Sequence, residues 1–550
     1  MSKATKKSST NKKEIVFEEA LWDAANKLRG SVESAEYKHI VLSLIFLKFI
    51  SDKFEAQREK LQAEGMGDYV DMVEFYTKDN VFYLPEEARW STIQKQAKQD
   101  DIAVKIDTAL HTVEKTNPSL KGALPDNYFS RLSLDVSKLA ALIDTINNIN
   151  TVANECDMSE EDLVGRVYEY FLGKFAANEG KGGGEFYTPK SVVTLISDML
   201  EPYKGKIYDP CCGSGGMFVQ SLKFIDSHKG NRKDISIYGQ EYTNTTYKLA
   251  KMNLAVRGIS ANLGDIAADT FFKDQHPDLK ADYIMANPPF NQKQWRADNE
   301  LTDDPRWAGF DVPPTGNANY AWIMHMVSKL SEHGTAGFVL ANGSMSSNTS
   351  GEGAIRQKII ENDLVDCMIA LPGQLFYTTQ IPVCLWFISK NKREDKTRGY
   401  RDRQGETLFI DVREMGSMIS RVHKELTSED IAKIANTYHA WRQDNQSIEQ
   451  ALAEQQNDAP TQELLQEHKQ LDAYEDVAGF CKSATLDEIK ANDYVLTPGR
   501  YVGAAAIEDD GIPFEVKMGE LSGMLFSQLK EAEKLDNSIR KSLAELGYEE

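Results

Sequence analysis

The residues best placed to do chemistry are Asn287, Pro288, Pro289 and Phe290, which close the apolar run Tyr283–Ala286. Two adjacent prolines cannot extend a central strand, so the chain leaves the sheet at this point. It leaves at a carboxyl edge, where open α/β sheets bind their ligands. The Asn287 side-chain oxygen and the Pro288 carbonyl can then act as two acceptors held in place. Such a pair suits an amino group whose lone pair is delocalised into a ring. Accepting from both of its hydrogens draws the nitrogen towards tetrahedral geometry and stabilises the positive charge that develops on it. Phe290 offers a face on which an extruded base can stack. Alone, Asn-Pro-Pro after a strand is an ordinary turn.

A second motif upstream changes that weighting. Asp209-Pro210-Cys211-Cys212-Gly213-Ser214-Gly215-Gly216 follows one apolar run and precedes the helical stretch Met217–Ile225. Glycines permit positive φ and close approach of backbone to a ligand, and a helix amino end offers free N–H groups to a carboxylate. Glu241 closes the next strand, where an acid typically holds ribose hydroxyls in doubly wound folds. No P-loop lysine follows the glycines. Ribose and an amino-acid carboxylate without phosphates point to S-adenosylmethionine. Asp265, after Gly264, stands where it could accept the cofactor's adenine amine, with helix capping as the rival reading.

These motifs need a sheet to hold them. Candidate strands are Lys206–Asp209, Ile235–Glu241, Tyr283–Ala286, Gly337–Leu340, Val365–Leu371 and Val383–Ile388, with Leu408–Val412 as a further one. Helical patterns such as Tyr247–Val256 lie between several of them. The alternation predicts an α/β, Rossmann-like core with a mostly parallel sheet. Residues 14–155 read as a helical domain, with stripes Phe17, Leu21, Trp22, Ala25, Leu28 and Leu42, Ile45, Phe46, Phe49, Ile50. The core is placed at 156–475, within which the polar segment 425–475 reads as a solvated connector. The last segment, 476–550, carries Met518, Leu521, Leu525, Leu529, Ala532, Leu535, Ile539, Leu543 and Leu546 on one face of a long helix. That face suits packing on its own domain or, the favoured reading, a partner helix. The loop Trp295–Asn319 reads equally as a cover closing on DNA or as plain surface.

Bulk properties narrow the classes. The 550 residues are 41% hydrophobic and 27% charged, with a net charge of -21. A protein that grips DNA alone usually carries a basic surface, so either the basic patch is local or another chain supplies most of the grip, with solubility alone as the plainer reading of the charge. Cys156, Cys211, Cys212, Cys367, Cys384 and Cys481 show no C-x-x-C spacing; no metal is expected, and small buried thiols in a reducing cytoplasm fit. The apolar run Val41–Ile50 contains Lys48 and falls short of the ~20 residues a membrane span needs. Residues 1–13 read as a basic, disordered tail with no secretory signal.

The glycine loop, Asn287–Phe290 and the upstream Gly184-Glu185-Phe186-Tyr187-Thr188-Pro189-Lys190 together resemble the modification subunit of type I restriction-modification systems. Asn492-Asp493-Tyr494-Val495-Leu496-Thr497-Pro498-Gly499-Arg500-Tyr501-Val502 resembles a late signature of that family, and the resemblance spans nearly the whole chain. It implies an N6-adenine DNA methyltransferase. Glu185, Phe186, Tyr187, Thr188, Pro189 and Lys190, with Ser214 to Gly216 and Glu241, would contact S-adenosylmethionine; Asn287 to Phe290 would hold a flipped adenine of double-stranded DNA. Two such subunits would join one specificity subunit, docked through the terminal helix, and a motor-nuclease subunit would join for restriction. A glutamine-side-chain methyltransferase shares Asn-Pro-Pro but is shorter and lacks the helical front. A self-sufficient adenine methyltransferase would need a recognition domain that residues 395–550 do not resemble. A catalytically silent scaffold is opposed by the intact motifs. The cysteine nucleophile of cytosine C5 methyltransferases is rejected, because Cys211 lies inside the glycine loop.

Overall fold

The computed structural model describes Trp22, Asn26 and residues 34–148, 188–504 and 514–545, apart from positions 80, 133, 229, 377–380, 422 and 456–457. The chain forms two compact units divided between Gly503 and Ala504.

The first unit opens with helices α1 (Ser34–Ala63), α2 (Trp90–Gln96), α3 (Ile102–Thr116) and α4 (Val136–Asn147). The run Val41–Ile50 lies inside α1 and is buried, as its composition demands; Lys48 is tolerated there because it pairs with Asp52 one turn on. The expected stripe Phe17–Leu28 falls outside the described residues except for Trp22. Among the described residues, no helix is long and apolar enough to cross a membrane.

The rest of the unit is a sheet with helices on both faces. Its strands are β1 (Gly205–Asp209), β2 (Ile235–Gly239), β3 (Ala261–Asn262), β4 (Ala281–Ala286), β5 (Leu330–Ala341), β6 (Val365–Ala370), β7 (Val383–Ser389) and β8 (Glu406–Asp411); a small hairpin, β9 (Ser417–Met418) and β10 (Lys424–Glu425), stands apart, and β11 (Cys481–Thr485) completes the sheet. The spatial order is β11-β8-β6-β7-β5-β4-β1-β2-β3. Strands β3, β2, β1, β4 and β5 run parallel, while β7 is antiparallel to both β5 and β6. Alternate residues face two separate cores: Ile207, Met285, Leu385 and Ile410 on one side, Tyr208, Ile284, Trp386 and Phe409 on the other. Burial on both faces explains why these strands read as unbroken apolar runs.

The helices that position the site are α5 (Lys190–Leu200), α6 (Gly216–Ser227), α7 (Asn244–Val256) and α8 (Asn319–Lys329); α9 (Glu352–Glu361) and α10 (Ser428–Arg442) cover the remaining sheet, while α11 (Asn445–Glu454) and α12 (Ala459–His468) pack on one another, with α12 against α10. Helix α7 joins the two parts of the unit. Its Leu249, Met252 and Val256 enter the core of the amino-terminal helices, and Lys248 donates to the Leu124 carbonyl at 2.9 Å.

Two expectations are corrected. The segment 425–475 is not a solvated connector throughout: α10 buries Ile431, Ile434, Tyr438 and Trp441 against the sheet. The Gln, Glu and Ala content of the whole segment gave the polar impression. The loop Trp295–Asn319 is not a plain surface excursion either. Trp295 and Trp307 are buried at its base, and Trp295 Nε1 donates to the Pro314 carbonyl at 2.8 Å. The strand β11 and the buried Tyr501 and Val502 also bring residues 481–502 into the first unit. The second unit contains helix α13 (Phe514–Glu545), on which Met518, Met524, Leu525, Phe526, Leu529 and Leu535 are exposed. The side chains of Leu521, Ile539 and Leu543, and all of Leu546, lie outside the described residues.

A buried polar cluster fastens α10 and α12 to the carboxyl end of α5. Glu201, in the left-handed conformation after α5, accepts from His468 Nε2 at 2.8 Å and from Arg442 at 3.1 Å. Arg442 also donates to His439 Nδ1 at 2.7 Å, so His439 carries its proton on Nε2, 3.0 Å from the Asp198 carbonyl. Burial would raise the Glu201 carboxyl, but His439, His468 and Arg442 hold it at about 2. A carboxylate depressed on folding contributes stability above its unfolded pKa and loses it as pH falls towards the folded value. Replacing Glu201 by Gln is therefore expected to lower stability by roughly 3–5 kcal/mol at pH 7, because it leaves Arg442 buried without its anion. By pH 3.5 the gap between wild type and E201Q should shrink by about 1 kcal/mol. Parallel urea unfolding at the two pH values checks this; a gap that does not narrow contradicts the assignment.

Candidate active site

The site grows from three neighbouring strand ends. In the register of the sheet Asp209 pairs with Gly239, and β4 flanks β1 on its other side. Because all three strands are parallel, the segments leaving β1, β2 and β4 emerge side by side at the carboxyl edge.

The glycine loop follows β1. Gly213 and Gly215 have φ of 54° and 80°, the left-handed region that glycine enters without strain. Gly215 caps α6, and a Cβ there would meet Leu254 at 3.4 Å, whereas a Cβ on Gly213 or Gly216 would meet nothing within 4 Å. The loop thus presses on α7 at one glycine and faces open space at the other two. The Gly213 N–H donates to Glu241 Oε2 at 3.1 Å, and the Thr243 N–H donates to Oε1 at 2.8 Å. Glu241 therefore joins the loop after β1 to the turn after β2. Burial raises its carboxyl, with the N–H groups of Thr243 and Gly213 acting against that. Asp209 is buried and accepts from the Cys211 N–H at 3.0 Å. Burial pushes its carboxyl up to about 7, against the Cys211 hydrogen bond, and the charge of Glu241 adds to the rise. Burial also places the Cys211 and Cys212 thiols well above their ordinary range, so neither is a thiolate nucleophile at neutral pH.

Asn287–Phe290 begins where β4 ends at Ala286. Pro288 is buried; Asn287, Pro289 and Phe290 are half-buried. The Phe290 ring meets Phe376 edge-on, with centroids 5.7 Å apart. Asp265 is exposed in the loop beyond β3, and Gly264 before it has φ of 78°. A cleft of about 1170 Å³ between the amino-terminal helices and α7 reaches Gly264 and Asp265 at its far end.

The structure thus brings Asp209, Gly213, Ser214, Gly215, Gly216 and Glu241 together, with Asn287–Phe290 on the adjoining strand and Asp265 further out on an exposed loop. Glu185, Phe186 and Tyr187 lie outside the described residues. Thr188 and Pro189 lead into α5, where Lys190 is its exposed first residue. Sequence reasoning missed the side chains that hold these loops. Gln240 is fully buried; it donates to the Ala268 and Lys273 carbonyls and accepts from the Gln275 N–H, which fixes the loop bearing Asp265. Asn253 of α7 donates to the Ser214 carbonyl at 2.7 Å. Tyr242 is 71% exposed directly beyond Glu241. An amide inside an apolar helix and one beside a candidate ribose-binding acid were the available signals.

The donors fit S-adenosylmethionine: a helix amino end and open glycine backbone for a carboxylate, and an acid one strand away for hydroxyls. A parallel α/β sheet with a reversed strand, a glycine loop, such an acid and Asn-Pro-Pro-Phe define the class of amino-methyltransferases.

The comparisons carry the assignment further. Residues 159–510 match the N-6 DNA Methylase family and residues 17–146 match the HsdM N-terminal domain. The chain is 47% identical over 483 residues to the type I restriction enzyme HindI methylase subunit of Haemophilus influenzae, covering 85% of this chain and 100% of that one. It is 39% identical over 554 residues to the MjaIX methylase subunit of Methanocaldococcus jannaschii, covering 97% and 92%. The fold matches that of a type I restriction-modification methyltransferase subunit from Streptococcus thermophilus with a TM-score of 0.69 at 22% identity, covering 89% and 99%. The chain belongs to the methylase subunits of type I restriction enzymes, which are adenine-specific DNA methyltransferases.

Gly215→Ala puts a Cβ where φ is 80° and Leu254 is 3.4 Å away. Left-handed strain of roughly 1–2 kcal/mol should weaken S-adenosylmethionine binding by about tenfold, as measured by calorimetry. Unchanged affinity would mean that this turn does not shape the cofactor site.

Proposed function

We propose that the chain methylates N6 of a flipped adenine in double-stranded DNA, within an assembly whose sequence reading belongs to a separate specificity subunit. The observation that carries this reading is the ending of β4 in Asn287-Pro288-Pro289-Phe290 beside the loop that Gly213 and Glu241 hold together. Gly213, Ser214, Gly215 and Gly216 would cradle the methionine carboxylate, with Asp209 fixing the start of the turn. Glu241 would take the ribose, Asp265 the adenine amine, and Glu185–Lys190 would close over the methionine end. When bound, S-adenosylmethionine supplies an electrophilic methyl group on a positively charged sulfur.

The chain's own residues do the rest. Asn287 Oδ1 and the Pro288 carbonyl accept from the two N–H groups of the target amine, which localises its lone pair and stabilises the cation as it forms. Phe290 stacks on the base and offsets part of the cost of unstacking it. With charge at -21, most phosphate neutralisation is delegated to the specificity subunit. We further propose that assembly is the work of the segment after Gly503. Helix α13 has 32 residues, ~48 Å at 1.5 Å each, and its exposed Met518, Leu525, Leu529 and Leu535 recur on one side of it, a face suited to a long partner helix. Two copies per specificity subunit, a motor-nuclease subunit for restriction and a cytoplasmic location complete the reading.

Asn287→Ala and Phe290→Ala are each expected to abolish adenine methylation, while the variant chain still co-purifies with its partner subunit. Loss of assembly in either variant, or methylation at the wild-type rate, overturns the catalytic assignment. Deleting residues 513–550 should have the opposite effect, ending co-purification with cofactor binding intact; persistent co-purification removes α13 as the docking element.

A further inference from the structure

Three asparagines beyond the catalytic motif form a clasp that the sequence did not disclose. Asn291 follows Phe290 directly and has φ of 52°, a left-handed conformation that asparagine tolerates better than most residues. Its backbone N–H donates to Asn319 Oδ1 at 3.2 Å, and its own Oδ1 accepts from Asn319 Nδ2 at 3.0 Å. Asn317 Nδ2 approaches the same oxygen at 3.4 Å, and Asn317 Oδ1 accepts from the Asn319 N–H at 3.0 Å. Asn319 is 1% exposed and heads α8, whose Tyr320, Ala321, Ile323 and Met324 are buried. The Ala318 N–H donates to the Gln292 carbonyl at 2.9 Å, which closes the neck of the long loop.

The geometry points to Asn319 as a positioning residue for the methyl acceptor. This inference rests on the reading of Asn287–Phe290 as the base-holding segment. That segment is fixed upstream by the hydrogen bonds of β4, and a strand alone leaves its far end free to swing. Asn319 fixes the far end. It reads both groups of Asn291, an acceptor with its donor and a donor with its acceptor, and it does so from a helix embedded in the core. The backbone between Ala286 and Asn291 is then held at both ends, so the Pro288 carbonyl and the Phe290 ring keep their orientation without touching any part of Asn319. Displacements of ~1 Å in such groups cost on the order of 100-fold in rate.

The test uses the intact assembly with Asn319→Asp and, separately, Asn291→Gly. N319D is isosteric and keeps the acceptor for the Asn291 N–H, but it sets a carboxylate oxygen against Asn291 Oδ1. N291G keeps the left-handed turn and the backbone donor. Single-turnover methylation is normalised to titrated cofactor sites, and DNA affinity is measured in parallel. The expected result is a rate per site reduced roughly 10- to 100-fold in N319D, with DNA affinity unchanged, and a smaller loss in N291G. A wild-type rate per titrated site in N319D, whatever its yield of folded protein, overturns the inference, because a merely structural role changes only how many sites survive. If N319D yields no cofactor-binding protein, N291G decides: a loss of rate per site supports the clasp, and a wild-type rate overturns it. Asn287→Ala run alongside separates the two readings. Full activity there means the motif itself is misassigned; inactivity there with full activity in N319D means that only the clasp fails.

Discussion

A parallel sheet runs out of hydrogen-bonding partners at its carboxyl edge, and what each strand does there decides what the molecule can bind. In this protein β4 ends in two prolines that have no N–H to continue a ladder. The chain is forced out between the segments that leave β1 and β5, and it presents an asparagine side chain and a proline carbonyl as it goes. Every other part of the site is arranged around that exit. The glycine turn after β1 faces open space at Gly213 and Gly216, and Glu241 ties it to the end of β2. The strands supply position, and the turns supply polar groups with spare bonding capacity.

The buried polar side chains follow the same logic. Gln240 satisfies three backbone groups of the loop after β3, and Asn253 satisfies a carbonyl of the glycine turn. Each converts a loop that could wander into one with a single arrangement. Net hydrogen-bond energies are small, about 1 kcal/mol each, so their value lies in specifying one geometry. On the other side of the loop system, Arg306 donates to the Thr270 and Phe271 carbonyls and pairs with Asp304. That locks the excursion between Trp295 and Asn319 to the loop bearing Asp265. The amino-terminal helices share the α7 side of the sheet through Leu249, Met252 and Val256, so the helical region braces the helix on which Gly215 rests.

Much of the fold and the contiguous motifs could be read from residue order alone. Seven strands were placed because apolar runs buried on both faces are conspicuous, and Asn287–Phe290 and the glycine turn announce themselves by composition. The strand β11 was missed because its Lys482 and Ser483 are only half-buried at the end of the sheet. Helix α10 passed for solvent-exposed because it lies in a segment rich in Gln, Glu and Ala, while its Tyr438 and Trp441 lie inside. The loop groups that the side chains of Asn319, Gln240 and Asn253 fasten lie 28 or more residues away, a separation at which no local pattern operates. The glycine turn and Asn287–Phe290 are local features, and the scaffolding that aims them is not.

The central claim is that two prepositioned oxygens, one from Asn287 and one from Pro288, make an aromatic amino group nucleophilic. Its most direct measurement is a structure of the assembly with cofactor and with DNA carrying the target adenine. The account predicts the extruded base against Phe290, N6 within hydrogen-bonding distance of both oxygens, and the sulfonium methyl roughly 3–3.5 Å from that nitrogen on the opposite side. A target base held elsewhere, or an N6 that meets neither oxygen, would contradict it.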